Sequence, residues 1–329
     1  MSPFVAAAVI PALVTAIVLA ALRASRWSRY FADHPNERSL HTAPTPRIGG
    51  LAIAFAVLPF ALWHAQGALG AIFGCAAALA LISAIDDLRS LPVQVRLPAH
   101  ALAALLAVLA LSQPPASSWP WGWGAAAAAV LGIAWAANLF NFMDGADGLA
   151  GGMAAIGFAA LALAAQAGGS FAPLALLSTA LASAAAGFLL HNFPPARAFL
   201  GDCGSIPLGF LAGALGLYGV VVGAWPPWFP LLVFSPFVVD ATVTLALRLA
   251  RGERVWIAHR EHAYQRLALA GWPRRRLAVA ALALMAAAAA SALAALRVGE
   301  MLQCVIIFVW AAIYALIAIA IGWPRRRKA

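Results

Sequence analysis

Apolar runs long enough to cross a bilayer recur along the chain, with short polar segments between them. A membrane-spanning helix needs roughly 20 mostly apolar residues. Runs of this kind lie near 3–22, 47–65, 68–85, 98–112, 121–138, 150–167, 172–190, 205–223, 228–247, 277–296 and 301–322, the fourth being the weakest. The pattern predicts an all-α fold: a polytopic integral membrane protein of about eleven transmembrane helices, folded as a single domain over 1–329. Composition agrees. Hydrophobic residues make up 64% of the chain and charged ones 10%, with a mean hydropathy of +0.90, which excludes a soluble globular protein. Alanine-rich stretches such as 124–129 and 286–290 are compositional bias, and no repeat of fixed period is present.

The charges orient the spans. With eleven crossings, the basic residues of 23–47, 89–96, 197, 248–276 and 325–328 fall on one side and only Arg297 on the other, so all but one of the 21 basic residues share a face. By the positive-inside rule that face is cytoplasmic, which places the N-terminus outside and the C-terminus inside. The first run has no basic stretch before it and Arg23, Arg26 and Arg29 after it, so it reads as a retained span and not a secretory signal. Asp33, Glu37, Asp86, Asp87, Asp144, Asp147, Asp202, Glu253 and Glu261 fall on the same face, Asp240 lies inside the ninth run, and Glu300 alone is outside. Both signs therefore gather on one side, as a site requires. The opposite connections, 65–67, 113–120, 166–171 and 223–228, are short and nearly uncharged.

The net charge of +10 follows largely from this topology, and it would also attract anionic membrane lipids and nucleotide phosphates. Nucleic-acid binding is not indicated. The three cysteines form no disulfide or zinc pattern.

Candidate chemistry sits in the inner loops. Asn138, Asn141, Asp144 and Asp147 follow one another at a spacing of three, which on a helix puts all four on one side. Glycines at 145, 148, 151 and 152 remove bulk beside them. Such an oxygen-rich face suits a hard divalent cation and the phosphates it bridges; a turn-rich polar loop is the plain alternative. Asp86 and Asp87 close the third run. A carboxylate pair at the edge of hydrocarbon is costly unless it serves a site, where it could share a metal or keep one member as a base; a helix cap is the simpler account. Asp202, flanked by Gly201 and Gly204, precedes an apolar run whose N-terminal amides could hold phosphate. Arg38, His41 and Arg47 offer donors to phosphate, or belong to a solvated linker. His259 and His262, three apart with Arg260 and Arg266 nearby, suit a diphosphate; as a zinc pair they lack a third ligand.

In that order, Asp86-Asp87, Asn138-x-x-Asn141-x-x-Asp144-Gly-x-Asp147-Gly-Leu, Phe199-Leu-Gly-Asp202-x-Gly-Ser205 and His259-Arg-x-His262-x-Tyr-Gln265 resemble the polyprenyl-phosphate N-acetylhexosamine-1-phosphate transferases. The similarity runs over essentially the whole chain. Its last motif looks more like the initiating transferases of O-antigen and enterobacterial common antigen synthesis than phospho-MurNAc-pentapeptide translocase, which carries adjacent histidines.

The resemblance implies an enzyme of the bacterial inner membrane that moves a sugar-1-phosphate from a UDP-N-acetylhexosamine, or a deoxy derivative, onto polyprenyl (undecaprenyl) phosphate. UMP is released, and the cofactor is Mg²⁺, with Mn²⁺ as an alternative. It assigns Asp86 and Asp87 as the catalytic pair and Asp202 with Asp87 as metal ligands. Substrate contacts fall to Asn138, Asn141, Asp144, Asp147, Arg47, Arg89, Arg96, Asn192, His259, Arg260 and His262. The loops 23–47, 86–97, 138–149, 191–204 and 248–276 would form the active site, and a homodimer is allowed. Two anionic substrates need a cation and basic side chains between them before one can attack the other. A transporter with an acidic site on its inner side is the competing class, although a transporter should carry its polar groups across the bilayer.

The orientation has a direct test. A membrane-impermeant maleimide added to intact cells should modify cysteines placed at 297–299 and spare cysteines placed at 89–96; the reverse pattern would invert the topology.

Overall fold

The structure, a computed structural model, describes residues 2–33, 44–112, 122–169, 171–255 and 259–322. In chain order the elements are α1 (Pro3–Ala24), α2 (Trp27–Tyr30), β1 (Ala32–Asp33), β2 (Thr45–Pro46), α3 (Gly49–His64), α4 (Gly67–Arg89), α5 (Val93–Leu111) and α6 (Gly122–Met143). They continue with α7 (Leu149–Ala167), α8 (Ala172–Asn192), α9 (Asp202–Val221), α10 (Trp228–Val233), α11 (Ser235–Ala250), α12 (Ala263–Leu269), α13 (Arg274–Ala295) and α14 (Glu300–Ala320). β1 and β2 are two residues each and pair antiparallel, Ala32 opposite Pro46.

Among the described residues, nine helices are long and apolar enough to span a membrane. Two of the eleven expected runs take another form. The second is α3, a helix of 16 residues, about 24 Å long at 1.5 Å per residue. The ninth is broken at Phe234 into α10 and α11. Proline explains the break: Pro236 has no N–H for the carbonyl of Leu232 and its ring crowds that carbonyl. The Ser235 hydroxyl takes over, donating to Leu232 O at 2.7 Å, and Tyr314 of α14 closes on Ser235 Oγ at 2.6 Å.

α7, α8 and α9 form the interior, each 72% buried along its most apolar stretch, whereas α14 at 6% lies at the rim. Rim side chains such as Phe308 and Ile319 are three-quarters exposed, the surface lipid would cover. Where hydrocarbon surrounds the protein, helix association rests on close packing of small residues and on interhelical hydrogen bonds. Gly187 of α8 lies against the backbone of Ala12 in α1, and Gly209 of α9 against Ala136 and Ala137 in α6. Beside Pro11, the Ser183 hydroxyl enters the α1 ladder, accepting from Ala12 N at 3.0 Å and donating to Ala8 O at 2.7 Å.

One crossing bears on the site. Gly50, at the start of α3, is pressed against the backbone of Cys203 and Gly204 at the start of α9. The chain before it runs beside 199–200, with Phe199 N donating to Pro46 O, Gly49 N to Phe199 O and Gly50 N to Leu200 O at 2.8–2.9 Å. Gly50→Ala would force backbone apart, a cost of about 1–3 kcal/mol, and should lower the melting temperature in detergent. Gly132→Ala, where an added methyl meets open space, should leave it unchanged.

Candidate active site

Asp86 and Asp87 occupy the last turn of α4, and the structure gives them different work. Ser90 follows with φ +50 in the left-handed region, turning the chain toward α5. Asp86 secures that reversal: its Oδ1 accepts from Leu91 N at 2.6 Å and its Oδ2 stands 3.1 Å from Arg96 Nη1. These contacts are those of a residue that braces the end of its helix. Asp87 instead reaches α9, accepting from Asp202 N at 3.2 Å and Cys203 N at 3.0 Å, two amides that the first turn of a helix leaves without partners. Arg47 Nη1 lies 3.9 Å away while its Nη2 grips Asp33 at 2.7 Å. Gly201 makes this approach feasible: its φ is +75, and a Cβ there would stand 2.9 Å from Asp87 Oδ2.

Asp202 opens α9 and remains a quarter exposed. Its Oδ1 accepts from Asn141 Nδ2 at 2.7 Å, its Oδ2 is 3.5 Å from Arg96 Nη2, and Asn141 also reaches Ser205 Oγ at 3.1 Å. Asn141 and Arg96 therefore tie α6 and α5 to the head of α9. Asp144 completes the acidic group. Burial holds its carboxyl well above the ordinary carboxylate range; the nearby charges of Asp202 and Asp87 push it the same way, and Arg47 with the Gly201 amide pull against them.

The one-sided helix expected over 138–147 is corrected. α6 ends at Met143 and α7 begins at Leu149, so Asp144 and Asp147 lie in the turn between them, which Gly148 closes with φ +79. Asn138 turns back to donate to Ala134 O at 2.7 Å. Asp147 points the other way, accepting from Ala196 N at 3.0 Å with Arg274 3.9 Å off. Asn192 spends both ends of its amide on backbone, accepting from Gly148 N at 2.9 Å and donating to Ala198 O at 3.0 Å. Asp147 and Asn192 thus bracket the α6–α7 turn against the segment before α9.

The last motif arrives beside this turn through Tyr264, whose hydroxyl donates to Phe142 O at 3.1 Å in the space left by Gly145. His262 is buried, 3% exposed, so in this conformation it is a scaffold residue. His259 is half-buried with its ring 4.9 Å from that of His262. Burial, then the neighbouring His262 and Arg248, lower its pKa to about 4, so it is an uncharged donor or acceptor at neutral pH. Arg260 is half-buried next to it. Arg89 is exposed at the end of α4 and takes no part in this network among the described residues. Arg38, His41 and 256–258 lie outside the described residues.

Sequence reasoning passed over Asp240, the partner of His262 at 3.1 Å. Its signal was an acid inside an apolar run. Tyr264 was visible as a member of the last motif, without a role assigned to it.

The residues fit a hard cation. Asp87, Asp144 and Asp202 offer carboxylate oxygens, the ligand type a hard cation takes, with Asn141 Nδ2 and Arg96 Nη2 now against the Asp202 oxygens. Among the described residues no three His, Cys, Asp or Glu side chains are placed to hold a metal by themselves, so an ion there would need ligands from water or substrate. Asp144 yields a pH prediction. With its folded pKa raised, the metal-free protein loses stability as pH climbs past the ordinary carboxylate range. Asp144→Asn should therefore raise the melting temperature at neutral pH but not near pH 3.5, and Mg²⁺ should stabilise the wild type at pH 7.5 and not at 4. Equal melting shifts at both values would reject the pairing.

Comparison with known proteins supplies the family. The profile of glycosyl transferase family 4 matches residues 69–220. A probable undecaprenyl-phosphate N-acetylglucosaminyl 1-phosphate transferase of Bacillus subtilis is 29% identical over 255 residues, 74% of this chain and 71% of the relative. A phospho-N-acetylmuramoyl-pentapeptide-transferase of Thermosynechococcus vestitus is 30% identical over 269 residues, 74% and 69% respectively. A decaprenyl-phosphate N-acetylglucosaminephosphotransferase of Mycobacterium leprae is 28% identical over 285 residues, 74% and 71%. The matches span the helices that bring Asp87, Asn141, Asp144 and Asp202 together, and the chain belongs to glycosyl transferase family 4, the polyprenyl-phosphate hexosamine-1-phosphate transferases.

Proposed function

We propose that this protein transfers an N-acetylhexosamine-1-phosphate from a UDP-sugar to undecaprenyl or another polyprenyl phosphate, releasing UMP and starting a cell-surface polysaccharide such as O-antigen. The observation that carries the reading is the convergence of Asp87, Asp144 and Asp202 with Arg47 and Arg96 at the head of α9. Two apolar grooves flank α9. One, about 390 Å³, lies between α3, α4 and α9 and ends at Gly50, Ala84 and Cys203 beside the acids. The other, about 460 Å³, lies between α6, α9 and the α10–α11 break. An anionic headgroup with a long hydrocarbon tail fits such an arrangement.

The reaction joins two anions, so their repulsion is the first barrier. Arg47 and Arg96 offset part of it while each remains paired with a carboxylate. Asp202, with Asp87 or Asp144, would hold Mg²⁺ or Mn²⁺, which supplies charge neutralisation at the diphosphate and the departing UMP. An oxygen of the lipid phosphate forms the new bond to the β-phosphorus as the bond from that phosphorus to the bridging oxygen breaks, and UMP leaves with the electron pair. Asp87, whose oxygens two α9 amides fix, orients or deprotonates the attacking phosphate. His259 offers the donor a hydrogen bond. We place the site at the cytoplasmic face of the inner membrane, where the basic loops and UDP-sugars meet.

Purified protein incubated with undecaprenyl phosphate, Mg²⁺ and a panel of UDP-N-acetylhexosamines should yield a lipid-linked sugar diphosphate identifiable by mass; no such product from any donor would defeat the proposal. Direct displacement further requires no UMP release in the absence of acceptor, whereas a burst of UMP without it would indicate an aspartyl-phosphate intermediate.

A further inference from the structure

Asp240 lies in the second turn of α11, its side chain 8% exposed, and the mechanism above makes no use of it. A carboxyl group so placed is costly unless its oxygens are paired. Here it is paired four ways. Oδ1 stands 3.1 Å from His262 Nδ1, both oxygens lie 3.0 Å from Ala263 N, and the Thr244 hydroxyl donates to Oδ1 at 3.2 Å.

These contacts belong to a single face of α11. Asp240, Thr244 and Arg248 are spaced by four and all buried, so they line up along the helix. At the far end of the row Arg248 pairs with Glu261 and, at 3.0 Å, with Glu253, while Arg251 takes the other oxygen of Glu261 at 2.6 Å. One helix face thus grips both ends of the segment from Glu253 to His262. From His262 the packing continues inward: its ring stacks on Tyr264 at 6.0 Å and Phe142 at 6.3 Å, and Phe142 is two residues from Asp144. These partners of Asp240 lie on α11 and at the start of α12, away from α3, α4 and α5, which bring Arg47, Asp87 and Arg96.

We propose that Asp240 is a positioning residue for the donor half of the reaction, acting through His262 to hold residues 259–262 against the α6–α7 turn so that His259 and Arg260 are presented to the nucleotide sugar. The proposal rests on the transferase reading above. It separates the two substrates: losing Asp240 should loosen the donor's loop and leave the acceptor's helices in place.

The test is steady-state kinetics on the full-length protein, with UDP-sugar and polyprenyl phosphate varied in turn. Asp240→Ala and Asp240→Glu, which removes or displaces the carboxylate, should raise the donor KM by roughly ten- to a hundredfold, with the acceptor KM within about twofold of wild type. Asp240→Asn keeps an acceptor oxygen in place and should restore the donor KM to within about threefold. If Asp240→Ala does not accumulate, Asp240→Glu carries the comparison. An unchanged donor KM in the Glu variant, or donor and acceptor KM rising together, would overturn the proposal, the latter by showing a general structural effect. Wild-type protein that makes no lipid product would instead refute the transferase reading; trypsin cleavage between Arg251 and Arg266, faster in Asp240→Glu than in wild type, then still reports whether Asp240 anchors the segment.

Discussion

Like charges crowd one end of this bundle, and the N-terminus of α9 is what makes the crowding tolerable. Carboxylates gathered at a partly buried site repel one another. Hydrogen bonds to a charged group return about 1.5–3 kcal/mol each. The two amides that Asp87 accepts from Asp202 and Cys203 therefore offset part of that repulsion, and Arg47, Arg96 and Asn141 offset more. The balance is close for Asp144, whose carboxyl holds its proton beyond the usual range. The divalent cation proposed for this site would replace protons and repulsion together.

That balance demands close backbone approach. Gly201 has no side chain to displace the Asp87 carboxylate, and Gly50 and Gly204 let α3 and α9 meet at their first turns. The strap through Pro46, Gly49 and Gly50 hydrogen-bonds to the backbone at 199–200, so Arg47 is delivered to Asp87 by main-chain geometry. On the other side, α11 holds the last motif by a row of buried polar groups while Tyr264 pins it to the end of α6. The site is thus assembled from two halves, one on α3, α4, α5 and α9 and one on α11 and α12, which meet at the turn between α6 and α7.

The hydrophobic pattern located every long helix to within a few residues, since a span must satisfy its own backbone in hydrocarbon and is therefore continuous, apolar and helical. Its misjudgement at 228–247 has a local cause: an apolar run reads as one helix, and Pro236 decides otherwise only together with Ser235 and Tyr314, the last of them 79 positions away. The helical spacing of Asn138, Asn141, Asp144 and Asp147 misled in a similar way. Gly145 and Gly148 were visible as weak points, but the end of α6 is set by what surrounds it, namely the Tyr264 ring over Gly145 and the Asn192 amide at Gly148.

By itself, then, the sequence determined the class of fold and the ordered motifs that mark the family. These depend on composition, on period and on local order along the chain. Only the tertiary structure decided how work is divided within the motifs: Asp86 capping its own turn while Asp87 reaches α9, Asp147 and Asn192 bracing a loop, His262 buried on Asp240 while His259 stays partly open. Adjacent residues of one type are alike on paper, and a side chain's role is set by the unpaired donors that distant helices bring to it.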